Sequence, residues 1–161
     1  MSDIESARAK WYHAITNGIT RCPVCDRNGV VYTLRLNSTM VRGLIWLEAE
    51  LARTGAEWVD IPAKGPRWLV RSNQLSSLAK WNLVRRMPKP VESKPKTRYS
   101  GLWQLTTQGE AFRDGVLTMP DRVFVYNDEV QGYGTRMVKI HECFETYFDY
   151  REAVKGIQRD A

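Results

Sequence analysis

The segment from Ser72 to Gly115 constrains the fold most, because its residues change pattern repeatedly within a short stretch. Apolar residues first recur at helical spacing, and two short segments with apolar residues, 82–87 and 102–105, then lie on both sides of a loop rich in proline and lysine. This pattern predicts a helix, a strand, a basic loop, a strand and a helix, over residues 72–81, 82–87, 88–100, 102–105 and 106–115. The mixture of helices and strands predicts an α+β fold.

A longer helix is predicted ahead of this segment. Asn37-Ser38 opens it, with Ser38 placed to cap the free backbone amides, and Gly55 stops it. The apolar residues at helical intervals between them are Met40, Leu44, Leu47 and Leu51. A short extended piece at 58–61 and a second short helix between Pro66 and Arg71 follow.

Two short motifs relate this order of elements to a known family. Leu83-Val84-Arg85 leads out of the predicted helix, and Leu105-Thr106-Thr107-Gln108-Gly109 restarts the chain as a helix after the loop. Residues 38–115 therefore resemble the winged helix-turn-helix regulators of the MarR and PadR types. The resemblance implies that helix 72–81 is a recognition helix and that the loop is a wing. Asn82 stands where those families usually have glycine, and asparagine can also adopt the left-handed conformation that a helix end needs.

The predicted helix 72–81 has two different faces. Leu75, Leu78 and Ala79 are expected on the buried face. The outer face carries small, amide and basic side chains, and the four expected nearest to the bases in a DNA major groove are Asn73, Gln74, Ser77 and Lys80. An ordinary solvated helix face is the alternative interpretation of the same residues.

The positive charge of the chain is concentrated in one stretch. Nine basic residues and one acidic residue lie between Arg67 and Arg98, a net charge of +8, whereas the other residues hold 15 basic and 17 acidic side chains. Such a stretch favours a polyanion, and double-stranded DNA is the expected partner. The residues expected to hold phosphates are Arg71, Arg85, Lys89, Lys94, Lys96 and Arg98. A solubilising role for the loop is the alternative.

The three cysteines raise the question of a metal site. Cys22 and Cys25 have the spacing of half a zinc site, in a loop that resembles a zinc knuckle, because two thiolates on one tight turn can reach the same ion. Structural zinc takes four ligands, and His141-x-Cys143 is the other cluster that could supply them, with His13 as an outside candidate. We expect either a structural Zn²⁺ on Cys22, Cys25, His141 and Cys143 or reduced cysteines without a metal.

Extensions flank the winged region on both sides. The predicted segments are an N-terminal helix with the Cys-x-x-Cys loop and a strand (1–37), the winged helix domain (38–115), and a β-hairpin with short helices (116–161). The whole arrangement, from Cys22-Pro-Val-Cys25 to Phe148-Asp-Tyr150, resembles small proteins encoded by bacteriophages and prophages. This resemblance implies a phage origin and names no activity.

Composition and motifs argue against several classes of protein. No apolar run approaches the roughly 20 residues that a membrane span needs, and the N-terminus lacks the order of a signal peptide, so we expect a cytoplasmic protein without a membrane partner. An enzyme is not expected, because the chain has two histidines, no glycine-rich phosphate loop and no nucleophile motif.

The main alternative to a DNA-binding regulator is a module that binds a host protein. A homodimer is expected if the protein is a repressor.

The tryptophans bear on the predicted core. Trp46, Trp81 and Trp103 fall at positions that a winged domain buries. Trp68 has two interpretations: core packing, which we favour, or exposure beside Arg67 and Arg71, where its ring would meet a base or a partner's pocket.

Overall fold

The computed structural model of the protein describes residues 3–88 and 99–157 and has an α+β fold with antiparallel sheets. Its contacts group into two compact units. The described residues of the first, here called the terminal unit, are 3–35, 120–137 and 148–157; those of the second, the central unit, are 36–88, 99–119 and 138–147. The segments predicted from the sequence, 1–37, 38–115 and 116–161, stay a prediction.

Helices and short strands alternate along the described chain. The α-helices are α1 (Asp3–Thr16), α2 (Ser38–Thr54), α3 (Ile61–Lys64), α4 (Arg67–Val70), α5 (Gln74–Leu78), α6 (Thr107–Arg113) and α7 (Tyr150–Ala153). The strands are β1 (Thr20–Arg21), β2 (Asn28–Gly29), β3 (Tyr32–Arg35), β4 (Val59–Asp60), β5 (Val84–Pro88), β6 (Tyr99–Leu105), β7 (Met119–Pro120), β8 (Arg122–Tyr126), β9 (Glu129–Tyr133) and β10 (Met137–Val138). Two 3-10 helices cover Ala79–Trp81 and Ile140–Glu145.

A three-stranded antiparallel sheet, in the order β3-β8-β9, is the centre of the terminal unit. Tyr32 of β3 pairs with Val125 of β8, so strands from distant parts of the sequence are neighbours. Ile15 of α1 packs with Val31 and Phe124 in the core beside this sheet. The helix and the sheet therefore bury one shared apolar face.

The β1–β2 hairpin packs directly on α1. A Cβ atom at Gly29 would overlap the ring of Trp11, so only glycine allows this close approach. The indole N–H of Trp11 donates a hydrogen bond to the hydroxyl of Tyr126 at 3.3 Å, and the two residues are 115 positions apart in the chain.

Ion pairs link the arginines of this unit to carboxylates. Arg35 lies 3.7 Å from Asp121 and 3.7 Å from Glu152, measured between the nearest nitrogen and oxygen atoms. Arg122 lies 3.6 Å from Glu152. Asp121 is buried, so its charge depends on these neighbours.

In the central unit, the start of α2 corrects one prediction. Asn37 caps the helix, because its side-chain oxygen accepts a hydrogen bond from the Met40 amide at 3.1 Å. Ser38, the predicted cap, is the first helical residue and is buried. The helix ends before Gly55, as the sequence predicts. Its predicted apolar face is confirmed at Met40, Leu44 and Leu47, which are buried.

The sheet of the central unit has the order β4-β6-β5 and is antiparallel. Val84 pairs with Leu105, and Val59 pairs with Trp103. The register of β5 and β6 shifts between Arg86 and Pro88, just before the residues that lie outside the described chain.

A close backbone contact joins α6 to Leu83, the residue just before β5. The side-chain oxygen of Thr106 caps α6 by accepting a hydrogen bond from the Gly109 amide at 2.9 Å. A Cβ atom at Gly109 would overlap the carbonyl oxygen of Leu83, which explains the glycine of the Leu-Thr-x-x-Gly motif.

Candidate nucleic-acid interface

The helix predicted to read DNA is shorter and less regular than expected. α5 covers Gln74–Leu78, and the chain continues as a 3-10 helix through Trp81. Asn73 precedes α5, and its side chain makes no capping hydrogen bond within the described chain. The prediction of one capped helix over 72–81 is therefore wrong in its start and in its regularity.

The buried face of this element is confirmed at two of three positions. Leu75 and Leu78 are buried, as predicted. Ala79 is exposed instead, because the chain enters the 3-10 helix there and each residue of a 3-10 helix turns further than in an α-helix.

The four side chains predicted to face bases have unequal access to solvent. Asn73 is exposed, and Ser77 and Lys80 are half-buried. Gln74 is also half-buried, and its side-chain oxygen is buried and accepts no hydrogen bond from the described residues. Asn73 is therefore the most accessible of the four.

An aromatic and basic surface precedes α5. Arg67, Trp68 and Arg71, on α4 or at its end, are all exposed, and the exposed fraction of Trp68 is 44%. The favoured interpretation of Trp68 as a core residue is wrong, because Leu69 is the residue that this short helix buries. By contrast, Trp81 and Trp103 are buried, as predicted, and Trp46 is half-buried.

Arg85 lies against an indole ring. Its guanidinium carbon is 5.5 Å from the centre of the Trp58 ring, within the range of a cation–π contact. Its Nε–H donates to the side-chain oxygen of Gln104, and the Gln104 amide donates to the carbonyl of Glu57 at 2.8 Å. These contacts hold the guanidinium in one place on an exposed strand.

Arg86 makes a second contact of the same kind and was missed by the sequence prediction. Its guanidinium carbon is 5.1 Å from the centre of the Trp103 ring, and its Nε–H donates to the Ser100 carbonyl at 2.6 Å. Arg86 and Trp103 are paired across β5 and β6, so the register of the hairpin was the signal that could have revealed the contact.

Two open grooves lie beside these arginines in the central unit. One has a volume of about 240 Å³ and is lined in part by Pro62, Val70, Asn73, Ser76, Arg86 and Trp103. The other has a volume of about 500 Å³ and is lined in part by Asn82, Arg85, Thr106, Thr107, Gln108 and Glu110. Each groove has a guanidinium in its wall and hydrogen-bonding side chains around it, which suits a polar ligand.

Four of the six residues predicted to hold phosphates lie outside the described residues. They are Lys89, Lys94, Lys96 and Arg98. The other two, Arg71 and Arg85, are exposed. We use the name basic face for the exposed set Arg67, Arg71, Arg85 and Arg86, of which Arg85 and Arg86 are consecutive on β5 and project to opposite sides of the strand.

Cys22 and Cys25 lie on the hairpin of the terminal unit. The Cys22 amide donates to the Arg27 carbonyl at 2.8 Å, and the Asp26 amide donates to the Cys22 carbonyl at 2.9 Å, which closes a tight turn. Hydrogen bonds from the backbone amides of Cys25 and Val24, and from the Cys25 side chain, lower the pKa of the Cys22 thiol below its usual value. The turn therefore makes Cys22 easier to deprotonate than an ordinary cysteine.

The second half of the predicted zinc site has a different geometry. In the central unit, His141 is exposed, whereas Cys143 is buried and its thiol donates to the Lys139 carbonyl at 3.6 Å. Among the described residues, no group of three or more histidine, cysteine, aspartate or glutamate side chains is arranged to hold a metal ion. The four-ligand zinc site stays a prediction.

Within the described ranges, no helix is both long and apolar enough to cross a membrane. No family model, no curated protein and no solved structure matches this chain.

Proposed function

We propose that the central unit is a winged helix-turn-helix and that it binds double-stranded DNA. The order of its elements supports this proposal: α2, β4, the short helices α3 and α4, α5, and then β5 and β6 on either side of residues 89–98. In the sheet order β4-β6-β5, the two strands that flank this loop are neighbours, as the two strands of a wing must be. The resemblance of residues 38–115 to winged regulators leads to the same assignment.

The charge of the segment around α5 carries the proposal. Between Ile61 and Pro88 the chain has six basic residues and no acidic residue. These residues include the whole basic face. A segment that supplies cations and no carboxylates attracts a polyanion and releases its counterions on binding, and this release is the main sequence-independent source of affinity for DNA.

The side chains of this region divide into two roles. We expect Asn73, Ser77 and Lys80 to meet base edges, and we expect less from Gln74 because its side-chain oxygen is buried. The expected phosphate contacts come from Arg67 and the six residues predicted earlier, Arg71, Arg85, Lys89, Lys94, Lys96 and Arg98. We propose a regulatory role on a phage operator, with a homodimer reading paired half-sites.

Fluorescence anisotropy with a random-sequence DNA duplex, at several salt concentrations, tests the proposal. The variant Arg67→Ala/Arg71→Ala should bind every sequence more weakly, and the salt slope of log K should flatten by roughly 0.9 for each lost phosphate contact. The matched control is Arg8→Ala/Lys10→Ala, which removes the same charge from exposed positions on α1. The control should bind as the parent does.

Failure of the parent protein to bind at low salt would contradict the proposal. Equal losses in the two variants would also contradict it, because net charge alone would then govern binding and the basic face would have no special part.

A protein-binding module is the second candidate, and one observation favours it. Trp68 and its neighbour Val70 are both exposed, at 44% and 42%. Exposed tryptophan surrounded by arginine is typical of protein interfaces as well as of DNA contacts. If the protein is such a module, the parent protein should capture an acidic host protein and should not bind DNA. The variant Trp68→Ala should lose the capture of that protein.

A further inference from the structure

The β1–β2 hairpin holds two thiols close together at its tip. Thr20 pairs with Gly29 and Arg21 with Asn28, so Cys22 and Cys25 lie in the turn just beyond the last paired residues. Cys25 is exposed and Cys22 is half-buried. Both sulfur atoms lie on one compact loop that solvent can reach.

Contacts on both sides of the turn fix its shape. The Arg21 guanidinium and the Asp26 carboxylate form an ion pair at 3.2 Å across the loop. Asp26 itself has a positive φ of 59°, the left-handed conformation that reverses the chain. The Cys22 amide donates to the Arg27 carbonyl at 2.8 Å, and the Asp26 amide donates to the Cys22 carbonyl at 2.9 Å. The two thiols are therefore preorganised and do not depend on a ligand for their placement.

The chemistry of this arrangement suits a thiophilic metal. Zn²⁺ binds thiolate sulfur, its structural sites are tetrahedral with four ligands, and amide hydrogen bonds to a ligating sulfur stabilise its negative charge. One hairpin supplies two of the four ligands. His141 and Cys143 do not form a matching pair, because one side chain is exposed and the other is buried and bonded to a backbone carbonyl.

We propose that one zinc ion joins two copies of this chain, and that each copy supplies Cys22 and Cys25. A tetrahedral ion has a two-fold axis that exchanges its ligands in pairs, so two identical hairpins can complete the site without any change in their shape. An ion with four thiolates carries a net charge of −2, and each hairpin carries Arg21, Arg27 and Asp26, a net charge of +1, so that two hairpins offset it.

The tip of the hairpin supports a second copy as the occupant. Val24 lies between the two cysteines and is 92% exposed, an apolar side chain at the point where the two copies would meet. A two-fold contact places each Val24 against the same surface of the other copy and removes both from water. The inference stands apart from the proposed function, because it uses no residue of the central unit.

Cobalt titration of the reduced, metal-free full-length protein tests this site. Co²⁺ replaces Zn²⁺ and gives the absorption of a tetrahedral thiolate complex. We expect saturation at one cobalt ion per two chains, with the mass in sedimentation velocity rising from that of a monomer to that of a dimer. The variants Cys22→Ser and Cys25→Ser should lose both signals, whereas the controls His141→Ala and Cys143→Ala should keep both.

Several outcomes would overturn the proposal. One cobalt ion per monomer, or loss of the signal in His141→Ala or Cys143→Ala, would indicate a site within a single chain. The absence of a thiolate band in the parent protein would mean that the hairpin holds no metal. Circular dichroism checks the fold of each variant. A chelator added to the zinc-loaded parent protein tests the site without any mutation, because the dimer must then dissociate.

Discussion

Arginine has different neighbours in the terminal unit and on the basic face of the central unit. In the terminal unit, Arg35 and Arg122 lie within 4 Å of carboxylates, one of which belongs to the buried Asp121. On the basic face, Arg85 and Arg86 lie against the indole rings of Trp58 and Trp103. The arginine side chain is neutralised by an ion pair in the terminal unit, and it stacks on an aromatic ring on the basic face.

The difference shows how a cation can serve either the fold or a ligand. A carboxylate cancels the charge of the guanidinium, so the pair contributes to stability and leaves little electrostatic potential in the surrounding solvent. An indole holds the guanidinium by its face and does not cancel its charge, which stays available to an anion. The comparison predicts that changes in the terminal unit affect stability alone, whereas changes on the basic face affect binding.

Gly109→Ala should have the largest effect. The new Cβ atom would overlap the Leu83 carbonyl oxygen, so α6 must move away from the strand that carries Arg85. We expect the free energy of unfolding to fall by about 3 kcal/mol, as for other overpacked sites, and DNA binding to weaken with it. Urea unfolding followed by tryptophan fluorescence measures this, because five of the six tryptophans, 46, 58, 68, 81 and 103, lie in the central unit.

Gly132→Ala is the matched control for this prediction. A Cβ atom there would meet only the Phe124 ring, at 3.8 Å, an ordinary contact distance. Equal stability of Gly109→Ala and the parent would show that α6 and the Leu83 strand are not packed as described.

Asp121→Ala should have the next largest effect and should act on stability alone. Its removal deprives Arg35 of a buried partner, and we expect a loss of about 2 kcal/mol, less than for a fully buried pair because Arg35 keeps part of its contact with water. Chemical denaturation measures the loss, and anisotropy should show unchanged DNA affinity. Glu129→Ala, which removes an exposed carboxylate from the same unit, should leave stability unchanged. A drop in DNA affinity in folded Asp121→Ala would break the comparison.

Trp58→Ala should have the smallest effect and should act on binding. Without the indole ring, the Arg85 guanidinium is held less firmly, and it loses conformational entropy when it binds a phosphate. We expect DNA affinity to fall roughly threefold, the equivalent of roughly 0.5–1 kcal/mol for an exposed cation–π contact. The variant Trp58→Phe keeps an aromatic ring and should lose less DNA affinity. Fluorescence anisotropy with the folded variants compares the DNA affinities of Trp58→Ala and Trp58→Phe. Identical affinities for parent and Trp58→Ala would mean that the ring has no part in binding.

Local patterns predicted α2 well, whereas the predicted start and regularity of α5 were wrong. The apolar spacing of Met40, Leu44 and Leu47 gave the buried face of α2, and Gly55 gave its end, because both depend on residues within a few positions of each other. The cap was misplaced by one residue because Asn37 and Ser38 are both good caps, and only the backbone angles decide between them.

Features that depend on distant residues were less predictable. Trp68 was expected in the core because it is large and apolar, yet the short α4 buries Leu69 in its place. The stacking of Arg85 on Trp58 joins β5 to the residue just before β4 and follows from no local spacing. The grouping of the two chain ends into one unit likewise depends on the pairing of β3 with β8.

The pairing of β3 with β8 has a consequence for the protein while it is being made. Trp11 and Tyr126, which share a hydrogen bond beside this sheet, are 115 residues apart, so at roughly 5–20 residues per second the ribosome needs about ten seconds to deliver the second after the first. During that interval Ile15 and Val31 have been synthesised but Phe124 has not, and the apolar face that they share stays open. Nascent chains stalled before residue 120 should therefore be clients of chaperones or substrates of quality-control proteases.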